Sequence, residues 1–194
     1  MNLPNRITLL RLLLSVVLFV LLEKIGGNGG GPSGNGRIWY IAFTLFVVAA
    51  GTDWLDGYLA RKWGQITAFG RIADPFTDKI IICGVLILLQ TYPETSEFVP
   101  SWLVLLVVAR EFLVSGLRAF IEGHGTSFAA SYWGKFKLVM QANYCGSVIF
   151  YAAGPQEWVW WYVQITLWGT AISTVGSAVL YISRAAKLLE KDGQ

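Results

Sequence analysis

Six apolar runs, each close to the length of a membrane span, constrain this chain more than anything else in it. They extend from Ile7 to Leu22, Ile38 to Ala60, Ile72 to Thr91, Pro100 to Ile121, Tyr132 to Ala153 and Trp158 to Ile182. A helix needs about 20 mostly apolar residues to cross a bilayer. With 194 residues in all, the runs leave little chain for anything else. The sequence therefore predicts an all-α polytopic membrane protein, residues 1–194 as one domain, with six transmembrane helices. Charged residues make up only 14% and hydrophobic ones 55%, against about 25% charged in a soluble domain. That excludes disorder and argues against a soluble globular fold. A net charge of +3 is too small to call for nucleic acid. Cys83 and Cys145 sit inside apolar runs and read as small buried hydrophobes, not as a disulfide or metal pair.

The first run resembles a signal peptide in composition, but no small-residue cleavage site follows it, so it is kept as a mature helix. Pro4 suggests that the first residues form a short N-terminal interfacial segment before the span begins. Lys and Arg in short loops set the orientation. With the N-terminus inside, Arg6, Arg11, Arg61, Lys62, Arg71, Arg118, Lys135, Lys137, Arg184, Lys187 and Lys191 all fall on the cytoplasmic side. The outer side receives only Lys24 and Arg37, and its middle connection carries Glu94 and Glu97. Both termini are expected in the cytoplasm. Trp39, Trp102, Trp158, Trp160 and Trp161 fall where an outer aromatic belt belongs. The Gly-rich connection over residues 26–36 reads as a flexible outer linker.

Against this apolar background the carboxylates stand out. Of five aspartates, four lie within 26 residues: Asp53, Asp56, Asp74 and Asp78. They belong to a pattern that also contains Gly57, Ala60, Arg61 and Gly70. At about 100° per residue, Asp53, Asp56, Gly57 and Ala60 share one stripe of the second span, and Gly70, Asp74 and Asp78 share another on the third. The short connection makes these spans antiparallel neighbours, so both stripes can border one gap about 10–12 Å below the cytoplasmic end. Two unit charges about 4 Å apart repel by about 4 kcal/mol even at an effective dielectric of 20. Two divalent cations would offset four carboxylates, and hard oxygen donors suit Mg²⁺ or Mn²⁺. Protonation, or pairing with Arg61, Arg71 and Lys79, are the alternatives. A single intramembrane aspartate suggests a proton relay or a structural charge. Four at this spacing, beside small residues that admit a ligand to the backbone, point to a site.

The eight-position pattern resembles the signature of the CDP-alcohol phosphotransferase family and matches it at every defined position. The opening Asn2-Leu3-Pro4-Asn5-Arg6-Ile7-Thr8 with Arg11, the segment Arg110-Glu111-Phe112-Leu113-Val114-Ser115-Gly116-Leu117-Arg118, and Gly134-Lys135-Phe136-Lys137 are similar to bacterial members whose acceptor is glycerol 3-phosphate. The likeness covers most of the chain. The Gly-rich connection departs in composition but touches no motif position. What the resemblance implies is a CDP-alcohol phosphotransferase fold in the bacterial inner membrane, commonly homodimeric, with a cytoplasmic active site. It implies transfer of the phosphatidyl group from CDP-diacylglycerol to sn-glycerol 3-phosphate with release of CMP, a step of phospholipid biosynthesis. It assigns two divalent cations, Mg²⁺ or Mn²⁺, to Asp53, Asp56, Asp74 and Asp78, with Asp78 also the base on the attacking hydroxyl. Asp56, Gly57, Ala60 and Gly70 would take the cytidine nucleotide, Arg61 would lie near its phosphates, and Asn5 and Thr8 would line the nucleotide side.

An acceptor that carries its own phosphate needs cations, and arginine forks match phosphate oxygens. Arg110, Arg118, Lys135 and Lys137 are the candidates. Arg110 would lie about 18 Å below the cytoplasmic end, too deep for an isolated charge, so it is expected to face the same cavity. Glu111 reads as structural and directed elsewhere, with pairing of Arg110 to Glu111 or to one of the aspartates left as an alternative; His124 reads as a loop residue, and Arg184, Lys187 and Lys191 as a tail facing anionic headgroups. Other acceptors stay open: phosphatidylglycerol as in a cardiolipin synthase, serine, or an inositol phosphate as in a phosphatidylinositol phosphate synthase. From another class, a divalent-cation or proton-coupled transporter could use the same aspartates. It would be expected to show broken helices and paired repeats, and neither is visible in the sequence.

Overall fold

The computed structural model describes residues 3–27, 36–63, 68–123 and 132–192. Side chains are described for 8–26, 36–52, 76–77, 79–121, 123 and 133–186. Among the described residues there are seven helices and no strand. They are α1 (Leu3–Gly27), α2 (Gly36–Trp63), α3 (Ala68–Thr91), α4 (Pro93–Ser96), α5 (Ser101–Gly123), α6 (Tyr132–Ala153) and α7 (Glu157–Asp192). The six long helices coincide with the six apolar runs. One helix, over Glu157–Ala186, is long and apolar enough by composition to cross a membrane among the described residues, with shorter apolar stretches at Gly36–Thr52 and Lys79–Thr91.

Helix α1 runs unbroken from Leu3 to Gly27. Pro4 sits in the first turn, where its missing N–H costs nothing. Trp39 is not part of an aromatic belt but is fully buried in the core, whereas Trp102, Trp158 and Trp161 are exposed. The connection after α3 has a helical turn of its own. Pro93 starts the single-turn helix α4, and Thr95 closes it by donating its hydroxyl to the carbonyl of Leu89.

Packing follows the helical repeat. On α1 the buried face is Thr8, Arg11, Ser15, Leu18, Leu22 and Ile25, spaced by three and four as one stripe requires. That face meets α2 and α3. Helix α6 lies against α7 and α2, and α5 against α7 and α3. The α6–α7 seam is built from small and hydroxyl side chains. Ser147 bonds Thr166 at 3.1 Å, Thr170 donates to the carbonyl of Met140 at 3.1 Å, and Gln141 donates to Thr174 at 3.4 Å. Such residues let apolar helices approach closely and satisfy their polar atoms across the seam. Cys83 on α3 and Cys145 on α6 are free thiols.

The far end of α1 is fixed by contact with the α3–α4 turn. A Cβ added at Gly26 would fall on the ring of Tyr92. That ring is itself buried, and burial, with Glu23 nearby, holds its phenol above the ordinary value. Gly26→Ala should therefore cost about 1–3 kcal/mol of stability. The expected result is a lower midpoint in thermal unfolding, and an unchanged midpoint would show that the turn moves freely.

Candidate active site

Both aspartate pairs lie on continuous helix. Asp53 and Asp56 fall in the second half of α2, and Asp74 and Asp78 in the first half of α3. Unbroken helix puts the first pair about 60° apart and the second about 40° apart around their axes. Each pair thus shares a helix face, as the spacing predicts, and α2 and α3 are in contact. The side chains of Asp53, Asp56, Gly57, Ala60, Arg61, Gly70, Asp74 and Asp78, and that of Asn5, lie outside the described residues, as does His124. As a donor set, four carboxylates on two adjacent helices fit a hard divalent cation. Thr8 is buried on α1, on the same face as Arg11, which is also fully buried. The sequence places Arg11 among the topology charges. The fold instead encloses it on the face of α1 that packs against the two aspartate-bearing helices.

The cationic residues are better defined. Arg110 on α5 is only 7% exposed and Lys137 on α6 only 5%. Arg110 Nε donates to Ser177 Oγ at 3.0 Å and its Nη1 lies 3.3 Å from Glu111 Oε1. Lys137 Nζ donates to the same Glu111 oxygen. Glu111 is therefore not directed elsewhere; it is the shared counter-ion of two buried cations. Lys137, expected to be free for an acceptor phosphate, is committed to Glu111. Arg118 reaches the hydroxyl of Tyr181 on α7 with its Nη2 at 3.3 Å. The guanidinium of Arg110 lies 5.5 Å from the centre of the same ring. The structure thus gathers Arg110, Arg118 and Lys137 and leaves Lys135, about 200° from Lys137 around α6, exposed.

Cys83 on α3, about 140° around that helix from Asp78, lies within electrostatic reach of Glu111 and Lys137. Arg110, Arg118 and Lys137 set against Glu111 leave a net charge of +2 for these four side chains. Arg118 Nε is buried with no hydrogen-bond partner among the described residues, an unspent donor in a site short of negative charge. Buried cations in excess are costly unless an anion joins them. A phosphate monoester, carrying about −1.5 to −2 at neutral pH, has the complementary charge. A separate apolar groove of about 410 Å³, bordered by Phe46, Gly146, Phe150, Trp158 and Tyr162, opens between α2, α6 and α7. It holds none of the acidic or cationic residues above.

Ser177 and Tyr181 were not anticipated from the sequence. Their signal is a polar stripe on α7, Thr166, Thr170, Ser173, Thr174, Ser177 and Tyr181, all buried and spaced at the helical repeat inside an apolar run.

Residues 1–184 match the CDP-alcohol phosphatidyltransferase family, and the chain belongs to that family. It is 33% identical to the CDP-diacylglycerol–glycerol-3-phosphate 3-phosphatidyltransferase of Bacillus subtilis over 94% of both chains. It is 32% identical to the protein of that name from Escherichia coli (strain K12) over 98% of both chains. With the one from Haemophilus influenzae it shares 34% identity, over 75% of this chain and 77% of the other.

Proposed function

We propose that the protein transfers the phosphatidyl group of CDP-diacylglycerol to sn-glycerol 3-phosphate, giving phosphatidylglycerophosphate and CMP. The observation that carries this is near-full-length similarity, 32% and 33% identical over 98% and 94% of the chain, to enzymes bearing that activity as their name. In the reaction an acceptor hydroxyl oxygen bonds to the phosphatidyl phosphorus. The pyrophosphate P–O bond breaks, and CMP leaves. The Asp78 carboxylate takes the proton of that hydroxyl. Asp53, Asp56, Asp74 and Asp78 would hold two divalent cations, Mg²⁺ or Mn²⁺. When bound, these neutralise the pyrophosphate and stabilise the leaving nucleotide. Gly57, Ala60 and Gly70 leave room for the cytidine nucleotide against the helices, with Asp56, Asn5 and Thr8 beside it and Arg61 near its phosphates. Arg110 and Arg118 bind the acceptor phosphate, with Lys135 at the entrance. Lys137 acts with them through Glu111.

We further propose six membrane spans in the bacterial inner membrane, both termini and the active site cytoplasmic, and a homodimer. Outward-facing side chains support the membrane setting. Leu105, Phe112, Ile165 and Ile172 are each 67–76% exposed, and contiguous apolar surface of this kind needs lipid around it. The donor's acyl chains then stay in the bilayer while its head and the acceptor meet at the cytoplasmic side.

The test is CMP release by purified protein in lipid–detergent micelles with Mg²⁺ or Mn²⁺, CDP-diacylglycerol and a panel of acceptors. Release with glycerol 3-phosphate but not with serine, inositol phosphate or phosphatidylglycerol is expected. Metal uptake into vesicles without CMP release would replace the enzyme by a transporter. Within the site, Arg118→Ala should raise the KM for glycerol 3-phosphate about tenfold or more, the loss of a charge-assisted hydrogen bond, with the lipid KM little changed. Equal loss toward both substrates would make Arg118 a packing residue.

A further inference from the structure

We infer that Tyr181 is a positioning residue that holds both arginines of the acceptor pocket and thereby sets the affinity for the acceptor phosphate. This rests on the proposed acceptor role of Arg110 and Arg118. The ring of Tyr181 is 3% exposed and serves each arginine with a different part. Arg110 stacks its guanidinium 5.5 Å from the ring centre. Arg118 donates Nη2 to the ring hydroxyl at 3.3 Å. Arg110 and Arg118 are eight residues apart, about 12 Å along α5. Arg110 bonds Ser177, one turn before Tyr181, so α5 and α7 run side by side in the same direction. Arg118, two turns further along α5, meets the same side chain at its hydroxyl. One tyrosine thus contacts both guanidinium groups. Two like charges held on one side chain suit a dianionic partner. An arginine side chain has many rotamers, and fixing two of them before the acceptor arrives lowers the cost of binding it.

Steady-state kinetics separates the parts. Tyr181→Phe keeps the ring for Arg110 and removes only the acceptor for Arg118. The KM for glycerol 3-phosphate should rise about tenfold, with the CDP-diacylglycerol KM and kcat within about twofold. Tyr181→Leu removes both contacts and should raise the acceptor KM further, with Tyr181→Phe recovering part of the loss. Arg118→Ala is measured alongside. If it raises the acceptor KM while Tyr181→Phe does not, the positioning role is overturned and the pocket stands. If Arg118→Ala leaves the acceptor KM unchanged, the pocket itself is wrong. If Tyr181→Phe lowers the unfolding midpoint and worsens both substrates alike, Tyr181 is packing only and the inference falls.

Discussion

Asp78→Asn is expected to reduce turnover by about 10²–10⁴-fold, the range for losing a general base, while nucleotide binding stays within about threefold. Asparagine has nearly the same shape and keeps one oxygen donor, so the pocket can still take the CDP head. It cannot accept the proton of the attacking hydroxyl at neutral pH. The comparison that gives this meaning is Asp56→Asn, at a position assigned both to the metal and to the nucleotide. That variant should weaken binding of CDP-diacylglycerol as well as slow the reaction. The measurements are single-turnover CMP release and equilibrium binding of a CDP-linked lipid. Near-normal rates for Asp78→Asn would remove the base from the mechanism, and parallel losses in both variants would make all four aspartates metal ligands alone.

The helices were legible because hydropathy and helical repeat agree along most of the chain. The fifth run, Tyr132 to Ala153, has the bounds of α6, since Gly154-Pro155 cannot continue the helix. The last run ends at Ile182, yet α7 continues to Asp192. Hydropathy reads bilayer thickness, whereas Ala, Lys, Leu and Glu after Ser183 are strong helix formers in water. Trp39 was misplaced because position near a helix start does not say which face a side chain takes. The aspartate motif was legible because charge in an apolar chain is conspicuous. The counter-ion was legible only as an alternative partner of Arg110, and its second partner Lys137 was not. Neighbours on a helix diverge by about 100°, so Arg110 and Glu111 look separated in sequence. The long arginine side chain folds back across that angle, and Lys137 arrives from a helix that sequence order does not place.

Glu111 is the next residue expected to have a large effect, and here on stability. Its carboxylate is the shared partner of Arg110 and Lys137, all three at 7% exposure or less. Glu111→Leu would leave two buried ammonium and guanidinium charges facing each other without an anion. Breaking a buried pair from one side costs about 3–5 kcal/mol, whereas replacing both members by apolar residues is often close to neutral. Glu111→Leu alone should therefore lower the unfolding midpoint strongly. Lys137→Leu alone should do less, because Arg110 still balances the carboxylate. The double variant should recover most of the loss, because Arg110 retains Ser177 and the ring of Tyr181. Unfolding followed by tryptophan fluorescence reads all three. Strictly additive losses would show that Glu111 and Lys137 do not form a coupled pair, and the net +2 that matches a phosphate dianion would then have to be assigned afresh.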